Sequence, residues 1–204
     1  MKYARWLILV LWFSAAHAQE SAKLLIASER MGGGYARTVI AVASIGDGRE
    51  HLGIILNRPS DMTMGQLFPD SKPAANVIDK VFHGGPYHFD RVVMTVRSKP
   101  AEPSLELAPG IYFVAHVAAI DAQLEKDPNA ARYYAGFVVW KPGELAQETK
   151  QGMWHVLPPR PDVMFRGETA GLWAELIALA KQPRARSDWP QHVVPETVPI
   201  GIRG

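Results

Sequence analysis

The chain has 204 residues and no cysteine, so disulfides and thiolate chemistry are excluded, and stability must come from a core that its 48% hydrophobic content can supply. Lys and Arg number 22 against 20 Asp and Glu, but Lys2 and Arg5 belong to an N-terminal address segment, and without them the balance is 20 to 20. A neutral surface offers no electrostatic footprint for a phosphate backbone, and no nucleic-acid partner is expected.

The N-terminus reads MKYARWLILVLWFSAAHAQE: a positive start, an apolar run from Trp6 to Ala16, and the small-residue site Ala16-His17-Ala18. This is the pattern of a secretory signal in residues 1–18, cleaved after Ala18 to leave Gln19 first, and it predicts a periplasmic or secreted protein. Retention as a membrane anchor is the other reading of the same run.

Residues 19–182 read as one domain. Lys23 to Ser28 and Arg37 to Ile45 are rich in branched apolar residues and read as strands, with a loop through Gly32-Gly33-Gly34 between them. Gly46-Asp47-Gly48 turns the second strand into a third, His51 to Asn57, closed by Pro59. Asp61 caps a short helix over Met62 to Phe68, and a polar loop follows through Asn76.

Val77 to Phe82 and Arg91 to Arg97 are candidate strands on either side of Gly84-Gly85, which reads as a hairpin turn between them. Gly110 to His116 is a further strand. Val117, Ile120 and Leu124 share a helix face before Pro128, and Tyr133 to Trp140 returns as strand. Pro142 opens a helix to about Gln151, Trp154 to Leu157 is a short strand, and Leu172, Leu176 and Leu179 mark an amphipathic helix within Glu168 to Lys181. Pro183, Pro190, Pro195 and Pro199 break up residues 183–204, an irregular tail. Strands mixed with separate helices predict an α+β fold.

Chemistry is concentrated in Val81 to Arg91, VFHGGPYHFDR. An oxyanion-hole reading of His83-Gly84-Gly85 lacks a nucleophile, because no Gly-x-Ser-x-Gly elbow occurs and Pro86 removes an N–H. His83 and His88 lie five apart, without His-Glu-x-x-His or an Asp-rich loop, so neither a metal nor another cofactor is expected. Glu144 and Glu148, at i and i+4 on one helix, read as a solvated face rather than an acid/base pair. The triple glycine precedes a strand, not a helix, and lacks the residues of a phosphate loop. Asn57-Arg58 ends a strand where binding residues commonly emerge, and Arg37 and Arg91 sit at strand starts, where ties to loop carbonyls or to carboxylates such as Asp90 or Asp61 are the simpler role.

In order along the chain, LLIAS, RTVI, LGIILNRPSDMTMGQLF, VFHGGPYHFDR, AGFVVWKPGELAQE and MWHVLPPRPDVMF, followed by the Leu172-Trp173 helix, resemble the AlgH/YqgE family of bacterial proteins over roughly residues 23 to 181. Asn57, Arg58, Pro59, Gly84, Gly85, Pro86, Trp140, Gly143, Leu145 and Glu148 occupy positions of its motif. The resemblance implies a compact α+β domain with a strongly bent, barrel-like, mostly antiparallel sheet and flanking helices. It implies no reaction or cofactor. A part in regulating alginate production, with a suggested transcriptional role, goes with the family name. The chain departs from the pattern at Glu29, where proline is usual, at Gly32 to Gly34, at Glu144, where glutamine is typical, and in its export signal, since family members are generally cytoplasmic.

These observations favour an exported, non-enzymatic protein that binds an unidentified ligand or protein partner through Asn57, Arg58, His83, Gly84, Gly85 and Arg91. A hydrolase using His83 or His88 with Asp90 is the alternative, and a cytoplasmic transcriptional regulator requires that the signal go unused.

Overall fold

The structure, a computed structural model, describes residues 22–182; the expected signal segment, its cleavage site and the tail lie outside the described residues. Strands β1 (Lys23–Ala27), β2 (Val39–Ile45) and β3 (Glu50–Ile55) form an antiparallel meander. The β2–β3 hairpin turns at Gly46 and Gly48, which take positive φ of 59° and 86° as the sequence leads one to expect.

Further on come β4 (Pro59–Thr63), β5 (Lys80–His83), β6 (Tyr87–Val96), β7 (Leu105–Ala108), β8 (Ile111–Val114), β9 (Ala131–Trp140) and β10 (Trp154–Leu157). The sheet runs β10-β1-β2-β3-β9-β6-β8-β7, with β4 on β5 and β5 on β9 off this path. Every pairing is antiparallel except β5 with β9. The outermost strand β7 packs back against β2, so the sheet curls into a half-barrel. This is the bent α+β architecture expected.

Alternation along the strands sends side chains to separate cores. Leu24, Ile26, Val39, Ala41 and Tyr134 point into the barrel interior with Leu172 and Leu176. Leu25, Ile40, Val42, Trp140 and Trp154 pack on the outer side beneath Leu145, while Met94, Val96 and Tyr133 meet Ile120 and Leu124 on another outer patch. Burial on both faces explains why Leu24 to Ala27 and Val39 to Ala43 are apolar without a break.

The helices are α1 (Met64–Leu67), α2 (Lys72–Ala75), α3 (Val117–Lys126), α4 (Glu144–Lys150), α5 (Pro161–Met164) and α6 (Leu172–Ala180). Helix α3 buries Ile120 and Leu124 of its predicted face together with Ala119, but Val117, at its first position, is left 70% exposed. Asp61 does not cap α1: it belongs to β4, and Thr63 caps instead, its Oγ1 accepting from Gln66 N while Gln66 Oε1 accepts from Thr63 N. Helix α2 falls in the expected polar loop, capped by Ser71, and β5 begins only at Lys80. Pro59 opens β4 rather than merely closing β3, and α6 starts at Leu172 after Gly171 in the left-handed region.

Candidate functional site

The Gly84-Gly85 segment is not a hairpin turn. Strands β5 and β6 do not pair with each other; Tyr134 and Ala135 of β9 pair with Phe82 and His83 on one edge and with Val93 and Val92 on the other. Gly84 to Pro86 therefore carries the chain over β9, crossing at Gly136. Gly84 N donates to Ala135 O at 2.9 Å, and Gly84 O accepts from Ile55 N at 2.9 Å. A Cβ on Gly84 would stand 2.1 Å from Gly136 O, one on Gly85 2.3 Å from the Phe137 carbonyl, and one on Gly136 2.5 Å from Gly85 O. Backbone lies on backbone, and only glycine fits on either side.

Beyond the crossing, β6 bulges. Tyr87 pairs with Phe137 and Val92 with Ala135, so His88 to Arg91 stand opposite Gly136 alone. His88 takes φ of 49°, and its ring packs 5.7 Å from that of Phe137. Phe89 is left 76% exposed and Tyr87 45%, with Asp90 and Arg91 also at the surface.

Asn57 and Arg58 reach this place from the other side. Asn57 Oδ1 accepts from Val39 N and its Nδ2 donates to Arg37 O, both at 2.9 Å, so the side chain acts as one more rung of strand. Arg58 Nη2 donates to Ala36 O at 3.0 Å, and Arg58 O accepts from His83 N at 2.8 Å. Arg37, at φ of 56°, lies 5.6 Å over the Trp173 ring. The fold thus brings Asn57, Arg58, His83, Gly84 and Gly85 together, whereas Arg91 closes the bulge without a hydrogen bond or ion pair to them among the described residues. Neither His83 nor His88 pairs with a described carboxylate, Asp90 included, and among the described residues no three His, Asp or Glu side chains gather as metal ligands.

The local reading of Glu144 and Glu148 as a shared solvated face holds only for Glu144, which is exposed and accepts from Lys141 N at 2.8 Å. Glu148 is half-buried: its Oε2 accepts from Trp140 Nε1 at 2.9 Å and from Trp154 Nε1 at 2.7 Å. The two indoles meet edge to face at 6.2 Å, and Tyr35 packs edge-on to Trp154 at the same separation. With Met31 and Val138 these groups line a cavity of about 110 Å³. Burial, and then the negative charge of Glu148, push the Tyr35 hydroxyl above its ordinary range, with Tyr87 adding to this and the Arg58 cation opposing it. Tyr35 packs on Trp154, and its chain neighbour Ala36 accepts from Arg58, so this segment joins the Asn57-Arg58 loop to the tryptophan clamp. Sequence reasoning missed the clamp. The signals for it were a pair of tryptophans on the strands flanking one short helix and the resemblance that singled out Trp140 and Glu148 without giving them a contact.

The AlgH-like family model matches residues 24–184. The chain belongs to the AlgH-like family. Relatives of this AlgH-like chain include a UPF0301 protein of Streptomyces coelicolor, 32% identical over 133 residues, 62% of this chain and 68% of that one. Another, from Mycobacterium tuberculosis, is 30% identical over 167 residues, covering 78% and 80%. The solution structure of the AlgH protein from Pseudomonas aeruginosa shares the fold, with a TM-score of 0.62 at 20% identity over 83% of this chain and 94% of that one. A crystal structure of a Corynebacterium diphtheriae protein aligns with a TM-score of 0.61 at 25% identity, over 79% and 87%. Within this AlgH-like chain the tripeptides Asn57-Arg58-Pro59 and Gly84-Gly85-Pro86 are brought side by side by the hydrogen bond from His83 N to Arg58 O.

Proposed function

We propose that this AlgH-like protein is exported and acts by binding a protein partner, without catalysis of its own, at the face formed by Arg58, His83 and the Tyr87–Arg91 bulge. The observation that carries this reading is the bulge: it lifts Phe89 out of the sheet beside exposed Tyr87 and cationic Arg91, on a base fixed by the Gly84, Gly85 and Gly136 backbone stack. Aromatic and Arg side chains on a rigid base are what protein interfaces concentrate at their centres, because they bury area at little entropic cost. Export rests on the Lys2 to Ala18 segment. Among the described residues neither His83 nor His88 has the carboxylate partner that general-base hydrolysis needs, which favours the binding reading.

Fractionation of the native host with N-terminal sequencing tests export: the account expects a chain beginning at Gln19 outside the cytoplasm, and an intact chain confined to the cytoplasm contradicts it. For binding, a purified partner engages the wild type and loses about tenfold or more in affinity with Phe89→Ala plus Arg58→Ala, as removal of central contacts does. Folded variants that bind as tightly as the wild type contradict the assigned face.

A further inference from the structure

At the end of β6 remote from Tyr87, where β9 begins, the fold leaves a cavity of about 420 Å³. Its floor holds Arg132, only 2% exposed, placed opposite Thr95 by the β6–β9 register. A buried guanidinium carries five N–H donors and is costly unless they are met. Here they are poorly met. Nη1 reaches Met164 O only at 3.4 Å, Nη2 stands 3.7 Å from Asp79 Oδ2, and Nε closes no hydrogen bond of ordinary geometry among the described residues. The cation also lies 4.7 Å over the Phe82 ring. Beside it the buried hydroxyls of Thr95 and Tyr134 stand within interaction range, Tyr134 facing both Thr95 and the Arg132 guanidinium, but none of these contacts closes a hydrogen bond of ordinary geometry among the described residues. Native interiors seldom leave so many polar atoms short in one place.

The rim supplies a second cation. Arg97 is exposed, and its guanidinium is held 4.2 Å over the Phe165 ring, with no hydrogen bond among the described residues. Asp79, the lone carboxylate lining the cavity among the described residues, has a side chain 58% exposed and stands too far from Arg132 for a hydrogen bond, so its ion pair with Arg132 is a weak one.

We propose that this cavity binds a small molecule bearing a carboxylate or phosphate group, whose oxygens take the free N–H edge of Arg132 on the floor and Arg97 on the rim. The planar fork of arginine fits both kinds of oxyanion, and charge-assisted bonds in a partly dry cavity are the strong ones. A purely structural Arg132, stapling β9 to the Met164 carbonyl, makes no use of Arg97.

The test is thermal denaturation of the full chain during titration with inorganic phosphate and, separately, succinate, each against sodium chloride at matched ionic strength. The proposal expects a saturable rise in the unfolding midpoint with at least one of the two anions and none with chloride. Phosphate saturation assigns a phosphate-bearing ligand and succinate saturation a carboxylate. Arg97→Ala, which leaves the floor intact, weakens the response about tenfold, as loss of one charge-assisted contact does. The proposal is overturned if neither anion saturates beyond the chloride control, or if Arg97→Ala, or a folded Arg132→Met, keeps wild-type affinity.

Discussion

Gly84 and Gly85 are held to glycine by what lies across the crossing, and that separates their requirement from the one at Gly46. A Cβ at Gly84 meets the Gly136 carbonyl, whereas a Cβ at Gly46 meets nothing within 4 Å and only the positive φ opposes it. Gly84→Ala is therefore expected to cost about 3 kcal/mol or more, through forced separation of two packed backbones, and Gly46→Ala about 1 kcal/mol. Urea unfolding of the two variants checks this; equal costs contradict the crossing. Glu148 offers a second contrast. Glu148→Ala leaves two buried indole N–H groups without their acceptor and is expected to cost about 2–4 kcal/mol, with a change in tryptophan fluorescence. Glu148→Gln keeps one carbonyl oxygen for the indoles and is expected to lose less than half of that. These residues also show where sequence reading stops. Two adjacent glycines announce either a turn or a close approach, and the partner that decides between them, Gly136, lies on a strand distant in sequence. Glu148 looks solvated on its helix because its two donors arrive from β9 and β10.

Among the elements, the β2–β3 hairpin was legible because two apolar strands flank a glycine turn, and α3 because Ile120 and Leu124 repeat at helical spacing, although Val117 of the same predicted face stays exposed. Four-residue pieces such as β7, α2 and α5 were not, since so short a run shows no period and gains its structure from its neighbours. Helix α6 is fixed at both levels. Leu176 is fully buried in the barrel core, and Trp173 Nε1 donates to Ala27 O at 2.7 Å. An ion pair from Arg166 to Glu175 and another from Lys181 to Glu29 fasten its outer side. The Arg166 guanidinium holds the Glu175 carboxyl below its usual range, and Arg160 does the same for Asp162. Carboxylates with lowered folded pKa stabilise the fold above their ordinary range and lose that contribution as pH falls below it. Stability is therefore expected to decline as pH drops from about 5 toward 3, and Glu175→Gln to flatten that decline; an unchanged slope in chemical denaturation contradicts the role of the pair. The pair is exposed, so the effect is small.

On the scale of the whole molecule, the curled sheet follows from strands buried on both faces and from β9, which gathers β3, β5 and β6 around itself. That gathering is what brings the separated tripeptides Asn57-Arg58-Pro59 and Gly84-Gly85-Pro86 to one place and pushes the His88–Arg91 bulge outward. The overall architecture was legible through the order of motifs, whereas the convergence of their loops with Tyr35 and Glu148 depends on long-range pairing that no local pattern records. The central claim is that the bulge is where a protein partner docks. Its most direct measurement is photo-crosslinking in the native host, with a photoreactive residue replacing Phe89 and, as control, exposed Glu125 on α3. The account predicts one discrete adduct from position 89 that is absent from position 125 and suppressed by Arg58→Ala. Equal labelling from both positions, or an adduct indifferent to Arg58→Ala, contradicts it.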